Sequence, residues 1–295
     1  MAAAGTVRTV NVEGKAVRLS NLDKALYPDG FTKGEVIDYY SRVAPVLLPH
    51  LTARPCTFVR FPNGVGSASF FTKNIPKGAP DWVRTVRLPA PGSSQDRDEI
   101  DYVLVDDLAT VVWAANLAAL EMHVPQWQVS PAGEAQPADL VVVDLDPGAP
   151  ATIVECCRLA TRIRAELGET AVAKTSGSKG LQVYARWTGG DSRNAMRDLA
   201  RRLEQQSPEL VVSRMTKDLR GGKVLLDWSQ NNPAKTTIAP YSLRGRDRPT
   251  VSTPVTWEEV EGCQQPADLV FTAPEVLARV AQVGDLFSPL LGAAP

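Results

Sequence analysis

Two aspartates set two residues apart at the end of an apolar run are the clearest chemical signal in the sequence. In Leu140 to Gly148, LVVVDLDPG, a run with buried-strand character leads into Asp144 and Asp146, which flank Leu145 before a Pro-Gly stop. Side chains alternate along a strand, so both carboxylates project from one face. Like charges that close repel unless a cation lies between them, and carboxylate oxygens suit magnesium or manganese. In two-metal sites such ions stabilise both the attacking and the leaving oxygen of a phosphoryl displacement. Taken alone, the pair reads more readily as an Asp-rich turn that ends a strand. Asp227, the single acidic residue of KVLLDWSQN, ends a second apolar run and is the candidate third ligand. A strand-end cap or salt-bridge partner is its alternative.

Phosphate-binding chemistry surrounds these acids in the sequence. TSGSKG, Thr175 to Gly180, joins two strand-like runs through small residues that let backbone N–H groups approach an anion, with Ser176, Ser178 and Lys179 as further donors. It lacks the GxxxxGK[ST] spacing of a Walker A loop, and an ordinary turn is the simpler reading. From Val211 to Thr250 there are eight basic residues against three acidic, in a chain whose net charge is −1. That asymmetry marks a phosphate-facing surface, with a solvated face as competitor. Phe70 and Phe71, followed by Lys73, could stack a base and hold its phosphate. Neighbours on a strand face opposite ways, so the alternative puts one ring in the core and one outside.

Apolar periodicity predicts helices from Lys33 through Leu51, over Asp106 to Met122 and over Ser192 to Gln206. Strand-like runs begin at Cys56, Asp101, Asp139, Leu181 and Lys223, interleaved with those helices, which predicts a mixed α/β (α+β) fold with helices flanking the sheets. Short breakers at Pro89 to Ser94 and Ser130 to Pro137 are the only linker-like segments, so 1–295 reads as one unit.

Composition, at 295 residues with 44% hydrophobic and 22% charged, excludes a disordered tail, a coiled coil and a collagen. No stretch reaches the roughly 18 apolar residues of a membrane span. The first residues lack a basic region followed by an apolar core, so a cytoplasmic, soluble protein is expected. Cys56, Cys156, Cys157 and Cys263 form no CxxC pair and read as reduced core thiols. Having only His50 and His123 argues against a His-rich zinc site.

The strings SNLDKALYP from Ser20, FFTK from Phe70, EMHVPQW from Glu121, DLDPG from Asp144, TSGSKGL from Thr175, LDWSQN from Leu226 and KTTIAPYSLRGR from Lys235 occur in consistent order. Together they resemble the polymerase domain of bacterial ligase D, a member of the archaeo-eukaryotic primase superfamily that acts in nonhomologous end joining. The resemblance implies a primase-polymerase core with mixed and antiparallel sheets. It implies a two-metal nucleotidyltransferase in which Asp144, Asp146 and Asp227 hold Mn2+ or Mg2+ and a primer 3′-hydroxyl attacks the α-phosphate. It implies that His123, Ser176, Lys179, Gln182, Arg220, Lys235 and Arg244 surround the incoming nucleoside triphosphate. Lys24 and Lys33 then hold a 5′-phosphate at a gap or broken end, and Phe71 with Phe70 lies near the templating strand. Without the resemblance, Lys24 and Lys33 are only exposed lysines flanking a helix, and His123 is a helix-end histidine.

The family string ends in His where this chain has Gln182, three past Lys179, so the side chain is expected to face the triphosphate with a neutral amide in place of an imidazole. No KxDG nucleotidyl-lysine motif occurs, which gives the expectation of a stand-alone polymerase working beside a separate DNA ligase and the end-binding protein Ku, at the nucleoid. A ribonucleotide preference comes with the family. Two competing functions are a non-catalytic or weakly catalytic end-binding and synapsis module and a metal-dependent nuclease. The intact carboxylates weigh against the first, and the basic nucleotide-site residues weigh against the second.

Overall fold

The computed structural model describes residues 7–90 and 98–292; most of the breaker at Pro89 to Ser94 lies outside the described residues. From the N-terminus, β1 (Val7–Val12) and β2 (Lys15–Ser20) form an antiparallel hairpin, followed by α1 (Lys33–Leu51). Next come β3 (Pro55–Arg60), β4 (Phe70–Thr72), β5 (Thr85–Pro89), β6 (Glu99–Leu104), α2 (Leu108–Asn116), β7 (Ala119–Val124), β8 (Trp127–Val129) and β9 (Ala135–Ala138). The central stretch runs β10 (Leu140–Pro147), α3 (Ile153–Leu167), β11 (Val172–Thr175), β12 (Leu181–Arg186) and α4 (Ser192–Gln206). It continues through β13 (Val211–Val212), β14 (Val224–Asp227), β15 (Thr237–Ile238), β16 (Pro254–Val255), α5 (Trp257–Gly262) and α6 (Ala273–Val283).

Two larger sheets carry the architecture. One has the order β13-β14-β10-β12-β11-β16 and is antiparallel except for the parallel β13–β14 pair. The other, β15-β7-β3-β6-β5 with β4 added on β3, is antiparallel throughout. The mixed α/β fold expected from the sequence is the one observed. Along β10, Val141, Val143 and Leu145 point into a core shared with Ile163 of α3 and Leu199 and Leu203 of α4. Alternation therefore turns Asp144 and Asp146 to the opposite face. Val36, Tyr40, Val43 and Leu47 of α1 pack with Val111 of α2 and with Phe58, Leu120 and Met122 of the second sheet.

Helix α1 starts where Thr32 caps it: its side chain accepts from the Glu35 N–H while Glu35 reaches back to the cap. The helix continues through Pro45 and Pro49. An internal proline costs about 3 kcal/mol. Burying Val36, Tyr39, Tyr40, Val43, Leu47 and Leu51 at about 1.5–3 kcal/mol each outweighs two such costs.

The helix expected over Asp106 to Met122 is shorter. α2 ends at Asn116, whose side chain accepts from the Ser20 N–H and donates to the Arg18 carbonyl on β2. Ala118 then takes a left-handed conformation (φ 56°), and Ala119–Val124 become β7, paired with β3. Leu120, Met122 and Val124 face the core and Glu121 and His123 the other way, an alternation too short to stand out from the apolar helix it directly follows, so the run reads as one helix. His123, expected at a helix end, accordingly lies within a strand. The breaker from Ser130 is the turn of the β8–β9 hairpin. All four cysteines are buried and free.

Tyr40 ties these layers together. Its hydroxyl donates to the Leu120 carbonyl at 2.6 Å and accepts from the Leu243 N–H at 3.0 Å. Tyr40→Phe leaves both backbone groups unpaired in the core and is expected to lower stability by about 1–3 kcal/mol. Urea denaturation checks this; a midpoint shift worth less than about 0.5 kcal/mol would show that these bonds add little.

Candidate active site

Strand register assembles the acids. Asp144 on β10 stands directly opposite Asp227 on β14 and, on its other side, opposite Gln182 on β12. Gln182 is in turn opposite Lys174 on β11, so four polar side chains form one row across the sheet. Asp146 lies one step further along β10 on the same face. Burial pushes the Asp144 carboxyl up to about 7, the charges of Asp146 and then Asp227 add to that, and the Gln182 hydrogen bond opposes it.

Each of two carboxylates is already held by the protein. Gln182 Nε2 donates to Asp144 Oδ1 at 3.0 Å. Asp227 Oδ1 accepts from the Ser229 N–H at 3.0 Å and from the Ser229 hydroxyl, and its Oδ2 accepts from Gln230 at 2.9 Å. Lys235 Nζ donates to the Ser229 hydroxyl at 2.5 Å and lies 4.0 Å from Asp227 Oδ2. Among the described residues no three His, Cys, Asp or Glu side chains close into a ready metal cluster. The donor set nevertheless fits a hard divalent cation: carboxylate oxygens only, in a half-buried row whose mutual repulsion has no internal counter-charge in contact with Asp144.

Beside the acids runs the Thr175–Gly180 turn between β11 and β12. Gly177 has φ 68°, and a Cβ there would meet Arg244 Cγ at 2.6 Å and the Ser252 N at 2.8 Å. Only glycine lets the turn lie this close to Arg244. The turn is closed on itself, as the simpler reading of its sequence has it, and is not an open backbone cradle. The N–H groups of Ser178 and Gly180 donate to the Ser176 hydroxyl, that of Ser176 to the Gly180 carbonyl, and that of Gly177 to the Thr175 hydroxyl. Positive side chains remain to attract an anion. Lys179 is exposed and reaches the Pro147 carbonyl at 2.9 Å. Arg220 packs its backbone on Gly148, where a Cβ would come within 2.0 Å of the Arg220 carbonyl oxygen. The Nε groups of Arg220 and Arg244 are both buried with no hydrogen-bond partner among the described residues.

Glu121 on β7, to which the sequence reading assigned no role, organises the opposite wall. Its Oε2 lies 2.8 Å from His123 Nε2 and accepts from Arg244 Nη1 at 3.1 Å, while Oε1 accepts from the Gly245 N–H at 3.0 Å. Burial raises the Glu121 carboxyl, but the bond to His123 and the Arg244 charge outweigh it and hold it below its ordinary value. Burial lowers the His123 imidazole, with Glu121 opposing. The Phe71 ring lies 6.0 Å from the His123 ring. Spacing alone could have paired Glu121 with His123, since residues two apart on a strand share a face; Arg244 is distant in sequence and gave no such signal.

The remaining expected residues lie further out. Phe70 and Phe71 are both exposed, at 54% and 60%, because the three-residue strand β4 pairs only with β3. Lys33 was expected to be exposed and is buried at the first turn of α1, where burial and then the Lys24 charge lower its ammonium pKa. Lys24 donates to the Pro62 carbonyl at 2.6 Å. This region is joined to the site through Tyr27, whose hydroxyl donates to the Arg244 carbonyl at 2.9 Å. Gln182, expected to face a triphosphate, is 4% exposed and turned onto Asp144 and Lys174.

Comparison with known proteins gives one consistent picture. Residues 32–287 match the family described as LigD, primase-polymerase domain. The chain is 45% identical over 287 residues to the multifunctional non-homologous end joining protein LigD of Mycolicibacterium smegmatis, covering 95% of this chain and 36% of that protein. It is 32% identical over 277 residues to the bifunctional LigD of Bacillus subtilis, covering 91% of this chain and 43% of that protein. The chain thus spans well under half the length of these relatives. The solved polymerase domain of Mycobacterium tuberculosis ligase D in complex with DNA superposes with a TM-score of 0.86 at 42% identity, covering 94% of this chain and 98% of that one.

The raised Asp144 carboxyl has a thermodynamic consequence in metal-free protein. The folded chain binds this proton more tightly than the unfolded chain, whose value is 3.8, so stability falls as pH rises from there to about 7. Asp144→Asn removes the buried charge and is expected to raise stability at pH 8 by about 1–3 kcal/mol, with the gain closing towards pH 5. Urea denaturation with a chelator at both pH values checks this. A pH-independent gain, or a loss at pH 8, would contradict the charge crowding.

Proposed function

Because the chain belongs to the LigD primase-polymerase domain family, we propose that it is a template-dependent nucleotidyltransferase that fills gaps and extends 5′-phosphorylated broken DNA ends in non-homologous end joining. Ribonucleotide preference, and cooperation with Ku and a DNA ligase at the nucleoid, belong to the same proposal and rest on the family. The observation that carries the reading is the pairing of a crowded carboxylate row with two buried guanidinium N–H groups that have no partner among the described residues. The first wants positive charge and the second an anion, and a nucleoside triphosphate with a divalent ion supplies both.

In this reading Asp144, Asp146 and Asp227 hold Mn2+ or Mg2+. Such an ion, when bound, neutralises charge on the phosphates and favours an ionised 3′-oxygen. The chain's own groups do the rest. Arg220, Arg244, Lys179 and Lys235 take up the triphosphate, with Ser176 bracing the turn beneath it. The primer 3′-hydroxyl attacks the α-phosphate, and pyrophosphate departs towards those cations. Glu121 fixes His123 and Arg244 against the nucleotide, so neither has to be ordered on binding. The exposed rings of Phe70 and Phe71 offer a stacking surface for the template. Lys24 and Lys33, at the positive end of α1, receive the 5′-phosphate. The solved relative bound to DNA supports a DNA substrate.

Incubation with Mn2+, a gapped duplex carrying a 5′-phosphate, and labelled ribonucleotides tests this directly. Extension is expected; binding without extension would make the protein an end-binding module, and shortening a nuclease. Asp146→Ala is expected to abolish extension while DNA affinity stays at or above wild type, since removing a negative charge does not weaken attraction to phosphate. Extension retained in that variant would remove Asp146 from the reaction. The Lys24→Ala, Lys33→Ala double variant is expected to extend ordinary primers but lose its preference for 5′-phosphorylated over 5′-hydroxyl gaps. An unchanged preference would place the phosphate pocket elsewhere.

A further inference from the structure

Lys174 is fully buried, at 0% exposure, a position lysine rarely takes, and the proposed reaction gives it no task. Its surroundings do. The Nζ donates to Ser252 Oγ at 2.7 Å and to Gln182 Oε1 at 2.5 Å, and the Tyr184 ring lies 5.5 Å away. Gln182 Nε2 then donates to Asp144 Oδ1 at 3.0 Å.

Donor polarity along this chain runs one way. The Ser252 hydroxyl gives its hydrogen to the Thr175 carbonyl at 2.9 Å, so towards Lys174 it acts as acceptor. Lysine offers hydrogens and the Gln182 carbonyl takes one, which leaves the amide NH2 as the end that meets Asp144. A carboxylate only accepts, so this is the one amide orientation that suits it. Without a donor at position 174, the amide can turn over and set its oxygen against Asp144 Oδ1. Strand register holds the three residues abreast, but it does not choose which end of the amide faces which neighbour.

We propose that Lys174 is a positioning residue for Asp144, acting through Gln182: it fixes the amide so that Asp144 Oδ1 is anchored and the other oxygen is presented to a divalent cation. This rests on the reading of the carboxylates as cation ligands. Gln182 is then part of the acid's support, and its departure from the family histidine preserves a side chain that accepts on one end and donates from the other.

The test is Mn2+ binding to the metal-free, nucleotide-free full chain, followed by the electron paramagnetic resonance of free Mn2+. Lys174→Met removes the donor at similar size, and Gln182→Met removes the bridge. Each is expected to raise the Mn2+ Kd about tenfold, the scale at which groups supporting a metal ligand act. The double variant is expected to be no weaker than Gln182→Met alone, because a residue acting only through Gln182 loses its influence once Gln182 is gone. Should Lys174→Met retain its full effect in the Gln182→Met background, the lysine acts through space by its charge and the proposal falls. It also falls if Lys174→Met binds Mn2+ as wild type does. If Lys174→Met does not fold, as judged by circular dichroism and melting, Gln182→His decides. Its imidazole can accept from Lys174 and donate to Asp144, so it is expected to bind at least as tightly as wild type, and weakening equal to that of Gln182→Met overturns the inference. Wild-type protein that binds no Mn2+ overturns the cation-site reading and this inference together; wild-type binding with additive losses overturns this inference alone.

Discussion

An antiparallel sheet sets two carboxylates face to face. Asp144 on β10 and Asp227 on β14 are cross-strand partners, and Asp146 follows on the same face. Directly opposed like charges destabilise a sheet, yet here they lie on a half-buried row where repulsion is weakly screened. Nothing about folding alone favours this arrangement. The sheet sustains it because β10 also buries Val141, Val143 and Leu145 against α3 and α4, and that apolar face fixes the register that the acids must then tolerate.

The surrounding positive charges are kept apart from the acids they would otherwise neutralise. Arg244 is tied to Glu121, Lys179 to the Pro147 carbonyl, and Arg220 to the Met215 carbonyl at 2.6 Å. Lys174 reaches Asp144 only through an amide. Of the described cations, Lys235 comes nearest to an acid of the row, at 4.0 Å from Asp227. On the proposed reading, a site arranged this way keeps negative charge for a cation and positive charge for a phosphate, at the cost of stability in the empty protein. Tyr40 and Tyr27 hold the N-terminal layer against the loop that carries Arg244, so the two sheets share one frame.

What the sequence disclosed divides along local and non-local lines. The bounds of α1 and α4 were readable because caps and 3.6-residue periodicity are local. The outward turn of Asp144 and Asp146 was readable for the same reason, from alternation within one strand. β7 was hidden because its short alternation, Leu120, Met122 and Val124 against Glu121 and His123, follows directly on the apolar helix α2 and merges with it. That Asp227 stands opposite Asp144 depends on register between strands far apart in sequence, and Asp227 was a candidate through its setting in an apolar run and through the family resemblance. Lys174 offered no signal, since lysine is an exposed residue by type and its burial is set by β16, β12 and Ser252 around it. The same partners explain why Gln182 faces along the sheet row and not towards the turn.

On the proposed reading, the carboxylate row receives a divalent cation. Anomalous diffraction from crystals soaked in Mn2+ with a non-hydrolysable nucleoside triphosphate measures this most directly. An anomalous peak is expected within ligand distance, about 2.0–2.3 Å, of oxygens from Asp144, Asp146 and Asp227, with Arg220 and Arg244 on the phosphates. Ordered nucleotide with Mn2+ bound away from these three residues, or with the acids still turned onto Gln182, Ser229 and Gln230 alone, would contradict it.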